Sequence, residues 1–208
     1  MEIMYWSDIA CPFCYIGANR MKQALAEVGI ADETPMEFLA YELDPEAPKT
    51  TSEKGEKALG QRARAIEDMA RGDGLAINLS QVKHVSTMDA HRLIKLAKDK
   101  YGQAAANRLV NDFYKLYFVK GAEIADHDVL KEAAAASGLD PAAVEAVLNS
   151  DAYEQEVRND EAAAMQSGVS GVPFFVINGK YAINGAQPKE LLVSALRQVL
   201  AMEGANDD

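Results

Sequence analysis

Residues 7–25, SDIACPFCYIGANRMKQAL, carry both cysteines of the chain, Cys11 and Cys14, two residues apart beside Pro12. Before them, residues 3–6, Ile-Met-Tyr-Trp, form a short apolar and aromatic run that reads as a buried strand. After Cys11 the apolar residues Ile16, Met21, Leu25 and Val28 recur at near-helical spacing, and Gly29 stops the pattern. MEFLAYEL, residues 36–43, is a second strand, left through the turn LDPEAP. Strand, helix and strand in close succession make a βαβ unit, whose two strands run parallel. The thiols therefore fall at a strand-to-helix junction, where the helix begins.

Three chemistries use two close cysteines. As a structural bridge the pair is a poor staple. Closing a four-residue loop constrains the unfolded chain by about 2 kcal/mol, against about 3 for fifteen residues, and a chain this long does not depend on staples. A tetrahedral metal site needs two more ligands. The histidines, His84, His91 and His127, form no second close pair, so no metal is expected. A redox pair accounts for the spacing. Residues i and i+3 on a first helical turn share a face, with Cα atoms about 5–6 Å apart, which suits a reversible disulfide. The helix N-terminus adds unpaired N–H groups and a partial positive charge, which favour a thiolate. Pro12 is tolerated in that turn and fixes its φ. Cys11 then reads as the exposed nucleophile, and Cys14, one turn deeper, as the thiol that resolves the mixed disulfide. Pro12 and Phe13, between them, are the residues expected to tune the pair.

Composition narrows the class. The 208 residues are 49% hydrophobic and 25% charged, ordinary for a globular chain with a good core. Twenty-one basic against 32 acidic residues leave a net charge of −11, which argues against nucleic acid as a partner. No apolar run reaches the roughly 20 residues that span a bilayer. The start, MEIMYWSDIAC, lacks the basic and long apolar regions of a secretory signal. The expectation is a cytoplasmic protein with no membrane partner, acting as a monomer or a homodimer.

Residues 50–167 change character. SEKGEKALGQRARAIEDMARG (52–72), STMDAHRLIKLAKDKYG (86–102), ANRLVNDFYKLYFVKG (106–121), HDVLKEAAAASG (127–138), DPAAVEAVLNS (140–150) and AYEQEVRNDEAAAMQSG (152–168) all read as helices. Asp140 is an N-cap and Pro141 a first helical residue; Gly102, Gly121, Gly138 and Gly168 fall at helix ends. Strands return at 174–177 and 180–183 around Asn178-Gly179, a hairpin signal. Pro188 opens a last amphipathic helix with Leu191, Leu192, Leu196, Val199 and Leu200 on one stripe, and the tail EGANDD frays. The order is β-α-β, a helical block, then β-β-α. Two units are expected: residues 1–49 with 168–208, and a helical insertion over 50–167.

In SGVSGVPFF, Pro173 precedes a strand. In a thioredoxin-like topology this loop faces the C-x-x-C pair, and a cis Pro173 exposes the backbone of Val172 to pair with an extended substrate. SDIACPFCYIG, TMDAHRL and GVSGVPFFVINGKYAINGAQP, taken in that order of elements, resemble the DsbA-like branch of the thioredoxin superfamily, in particular its cytoplasmic FrnE-type dithiol–disulfide oxidoreductases. The resemblance implies an α/β thioredoxin-like fold with an all-helical insertion, Cys11 as nucleophile, Cys14 as resolving thiol and Pro173 as a cis-proline. It implies no bound cofactor, a disulfide- or dithiol-containing protein or small molecule as substrate, and glutathione as a candidate redox partner. Phe13 stands where the best-known DsbA proteins have histidine and many FrnE-type ones tryptophan.

Several residues have plainer readings. His91, on a helix with Leu93, Ile94 and Ala97, reads as packing. Asp8 reads as bonding local backbone N–H groups. Trp6 and Tyr15 border either a groove or the core, and Tyr114, Tyr117 and Phe118 are core at helical spacing. The expected activity is thiol–disulfide exchange or isomerisation. Two rivals are a glutathione-dependent transferase or isomerase, of the kappa-class or hydroxychromene carboxylate isomerase type, and a chaperone-like peptide-binding module with an idle thiol pair.

Overall fold

The computed structural model describes residues 1–51 and 58–204. The elements run β1 (Ile3–Ser7), α1 (Pro12–Val28), β2 (Met36–Ala40), α2 (Gln61–Gly72), α3 (Met88–Tyr101), α4 (Gln103–Phe118), α5 (His127–Ala136), α6 (Pro141–Leu148), α7 (Glu154–Gln166), β3 (Phe174–Ile177), β4 (Tyr181–Asn184) and α8 (Lys189–Gly204). One sheet has the order β2-β1-β3-β4. β1 and β2 are parallel, as the βαβ reading requires, and β3 lies antiparallel to both β1 and β4. This is a thioredoxin-like sheet, with helices α2 to α7 entering between β2 and β3.

The period of two along β1 assigns its side chains. Ile3 and Tyr5 join the main core with Met21, Leu25, Phe38, Phe175 and Leu196. Trp6, with Met4 packed beside it, lies in a second cluster with Leu39, Phe174, Ala164 and Val169. Within the main core Tyr5 stacks on Phe175 at 5.4 Å and meets Phe38 edge-on at 5.6 Å, arrangements that aromatic quadrupoles favour. Helix α1 ends as anticipated. Gly29 takes φ 85°, and its N–H closes onto the Leu25 carbonyl at 3.0 Å.

Several boundaries and one helix face differ from the sequence reading. The second strand stops at Ala40 and not Leu43. The N–H groups of Glu42 and Leu43 are drawn to the carboxylates of Glu161, at 3.1 Å, and Asp8, at 2.8 Å. The first helix of the block begins at Gln61, with residues 58–60 non-helical; its expected start, residues 52–57, lies outside the described residues. The hairpin does place both Asn178 and Gly179 at positive φ, 50° and 66°, but Ile177 pairs with Tyr181, so β4 starts one residue later than expected. Finally, α8 buries Leu192, Val193, Leu196 and Val199, while Leu191 and Leu200 face solvent at 48% and 38% exposure. Of the tail EGANDD, Glu203 and Gly204 belong to α8 and the rest lies outside the described residues.

Candidate active site

The junction after β1 builds the site. Asp8 has left the strand, and its backbone carbonyl accepts the Cys11 N–H at 3.2 Å, which turns the chain into α1. Cys11 is the N-cap of that helix, with extended φ and ψ of −94° and 111°. Its sulfur does what a capping oxygen does elsewhere, accepting the Cys14 N–H at 3.3 Å. Pro12 follows at the first helical position, where its missing N–H costs nothing. The nucleophile candidate is therefore written into the helix start.

Both cysteines are free thiols. The Cys14 thiol is fully buried beside Cys11. Burial pushes it well above the ordinary thiol range, and the proximity and charge of Cys11 add to the effect. The Ser7 hydroxyl and the Asp8 backbone pull the other way without reversing it. The expectation of an exposed Cys11 is corrected: the residue is only 3% exposed. The reason is the loop before β3, whose Val172 carbonyl lies 3.7 Å from Cys11 Sγ.

That loop is where the topology argument placed it. The Val172–Pro173 peptide is cis, and the Pro173 carbonyl accepts the Gly185 N–H at 2.8 Å, pinning the loop to the hairpin. Phe13 is half-buried and packs beside Ile16, Ile66, Ala70 and Leu79, so α2 and the loop after it hold the ring between the thiols. Thus Cys11, Cys14 and Val172 converge, with Pro12 and Phe13 on the connecting turn.

Two residues read as bland belong to this neighbourhood. His91, fully buried on α3, sets its Nε2 3.3 Å from Asp8 Oδ1. Asp8 also takes the N–H groups of Ala10 at 3.2 Å and Leu43 at 2.8 Å. Burial works to raise the Asp8 carboxyl, but the bond and charge of His91, with Leu43 and Thr87, outweigh it and hold it below the usual range. One aspartate thereby fastens the thiol-bearing turn to the exit of β2 and to α3. Tyr114 was the second. Its hydroxyl lies 2.5 Å from Ser7 Oγ. The sequence signal for both was chemical type alone, a histidine and a tyrosine among apolar helical neighbours. Trp6 and Tyr15 are core: the Trp6 Nε1–H donates to the Asp160 carbonyl at 2.9 Å, and Tyr15 stacks on Tyr114 at 4.9 Å.

Beside the turn a cleft of about 330 Å³ is lined by Asp8, Ala10, Leu43, Val82, His84 and Tyr117, among others. The three histidines lie apart, each against its own aspartate: His84 on Asp44, His91 on Asp8 and His127 on Asp89. Among the described residues no three His, Cys, Asp or Glu side chains gather to hold a metal ion, and no helix is long and apolar enough to cross a membrane.

Known proteins share this fold. The crystal structure of a probable DsbA oxidoreductase from Streptomyces coelicolor is 36% identical and superposes with a TM-score of 0.85, over 97% of this chain and 90% of that one. The thiol:disulfide interchange protein DsbL of Escherichia coli O6:H1 is 28% identical over 174 residues, 84% of this chain and 66% of DsbL. A 2-hydroxychromene-2-carboxylate isomerase superposes with a TM-score of 0.75 over the full length of both chains at 16% identity, a likeness of fold alone. The family model described as a DSBA-like thioredoxin domain matches residues 2–197. With that match running through the thiol pair, the cis-proline loop and the helical block, the chain belongs to the DSBA-like thioredoxin domain family of thiol–disulfide oxidoreductases.

Proposed function

We propose that the Cys11–Cys14 dithiol exchanges disulfides with an extended segment of a protein, or a small disulfide, laid against Val172. The observation that carries this reading is the meeting of two free thiols at one helix start, with the Val172 carbonyl 3.7 Å from the Cys11 sulfur. The Cys11 thiolate attacks one sulfur of the substrate disulfide, and the other leaves as a thiolate that takes a proton from water. Cys14 then attacks Cys11, closing the protein disulfide and releasing the second substrate thiol. Two electrons pass to the substrate, and the reverse sequence oxidises a dithiol. The backbone of Val172 aligns the incoming chain as a strand would, and the neighbouring cleft takes a side chain flanking the substrate cysteine. Phe13, held by α2, sets how far the two oxidation states differ in energy. Glutathione is the small thiol proposed to recycle the pair.

Trapping tests this reading. Cys14→Ser incubated with an oxidised peptide should accumulate a mixed disulfide through Cys11, seen by mass spectrometry, while Cys11→Ser should accumulate none and lose exchange. If Cys14→Ser turns over with glutathione as fast as the unsubstituted protein, one thiol suffices, and the reading gives way to a glutathione-dependent transferase or isomerase.

A further inference from the structure

Three elements meet at Cys14. Ser7 ends β1, Cys14 lies on the first turn of α1, and Tyr114 comes from α4 in the helical block. Ser7 Oγ and Tyr114 Oη are 2.5 Å apart, and the Ser7 hydroxyl is close enough to the Cys14 thiol to pull it toward its charged form. All three are nearly sealed from solvent: Ser7 and Cys14 at 0% exposure and Tyr114 at 1%. The tyrosine ring is fixed by stacking on Tyr15 at 4.9 Å and on Phe118 at 6.3 Å. Its hydroxyl is thus held at a set point, and van der Waals packing alone does not call for one there. A small cavity of about 60 Å³, lined by Tyr5, Asn19, Lys22, Asn111 and Tyr114 among others, offers polar partners and room for water.

Resolution of a mixed disulfide needs negative charge on Cys14, and a charge in a dry interior needs donors around it. We propose that Tyr114 is a positioning residue for this step: its O–H donates to Ser7 Oγ, which turns the Ser7 O–H onto Cys14 Sγ as the thiolate forms. The inference rests on Cys14 being the resolving thiol. Burial first, then the proximity of Cys14 and Tyr5, hold the Tyr114 phenol well above its ordinary range, so it stays protonated and keeps an O–H with which to begin the chain. Hydrogen bonds in series polarise one another, so the Tyr114 hydroxyl strengthens a bond it does not itself make. In the step, Cys14 loses its proton to water. The electron pair of its sulfur forms the bond to Cys11 Sγ, and the bond from Cys11 to the substrate breaks with its pair on the substrate sulfur. That sulfur is reduced, takes a proton from water and leaves.

The test separates this chain from simple packing. In a Cys11→Ala background Cys14 is the only cysteine, and its ¹³Cβ shift reports the thiolate against pH. Tyr114→Phe, which keeps the stacked ring, should move the midpoint up by roughly one pH unit, the loss expected for a bond to a charged group. Ser7→Ala cuts the chain at its other end and should move it at least as far. With both cysteines present, Tyr114→Phe should slow the decay of a preformed mixed disulfide roughly tenfold. Its formation, measured with Cys14→Ser, should keep its rate. An unchanged midpoint and decay rate in Tyr114→Phe overturn the proposal, and if that variant does not fold, an unchanged Ser7→Ala does so. The titration needs no substrate, so it stands even if trapping through Cys11 fails and the exchange reading falls.

Discussion

Gly17 lies on the face of α1 that meets the Pro173 loop, and a Cβ built there would come within 2.8 Å of Pro173 Cγ and 3.4 Å of the Ala186 Cα. A proline ring cannot swing aside, so Gly17→Ala must push α1 and the loop apart. The variant should lose about 1–3 kcal/mol of stability, read by urea unfolding, and its exchange rate should fall further than that loss predicts, because the Val172 carbonyl moves off Cys11. A normal rate in a folded Gly17→Ala protein would mean that the loop's position is unimportant for exchange. At this scale the sequence spoke clearly where chemistry depends on spacing. Cys11, Cys14, Pro12 and Pro173 are legible because i, i+3 on a helix start and a proline before a strand have few meanings. His91 and Tyr114 were not, because what distinguishes them is the residue they touch. Asp8 and Ser7 are reached across 83 and 107 positions of chain, a relation that no local window contains.

Arg92 shows how one side chain ties elements together. It projects from α3, donates from Nε to the Ala152 carbonyl at 2.8 Å, reaches the carbonyls of Val147 and Ser150 through Nη2, and pairs with Asp89 at 2.7 Å. The last turn of α6 and the residues leading into α7 thus end on one guanidinium, which supplies the carbonyl caps that a helix end otherwise lacks. Arg92→Leu should cost about 3–5 kcal/mol, since it takes the buried guanidinium from three carbonyls and leaves Asp89 with His127 alone. Hydrogen exchange should rise first in α6 and at the start of α7, and unchanged protection there would refute the clamp. The existence and order of the helices were legible from their 3.6-residue pattern. Element ends were less so wherever a distant side chain competes for backbone N–H groups, as Glu161 and Asp8 do after the strand β2. The exposed face of α8 was misread for a related reason: the apolar stripe is wider than the surface available to cover it.

For the whole molecule the thiols couple redox state to stability. Folding raises the Cys14 thiol, chiefly by burying it. A raised group contributes stability that is complete below the unfolded thiol value of about 8.5 and is lost as pH climbs through the folded one. The reduced protein should therefore lose stability above about pH 8.5 relative to Cys14→Ser, which keeps Cys11 and has no second thiol to titrate. Melting curves of the two between pH 7 and 10 check this, and parallel curves would show that Cys14 titrates alike in the folded and unfolded chains. The same raised thiol makes resolution base-favoured. The decay of a mixed disulfide should quicken up to tenfold per pH unit from 7 to 9, and a plateau near neutrality would contradict it. The near-complete cover over Cys11 bears on which disulfides the proposed exchange would reach. A sulfur that is 3% exposed is a keyhole: a disulfide lodged in the core of a folded partner cannot be brought to it, whereas one on a loose, slender strand can be threaded in. In the exchange proposed above, the fold would thereby favour a loosely held disulfide before any side chain is read.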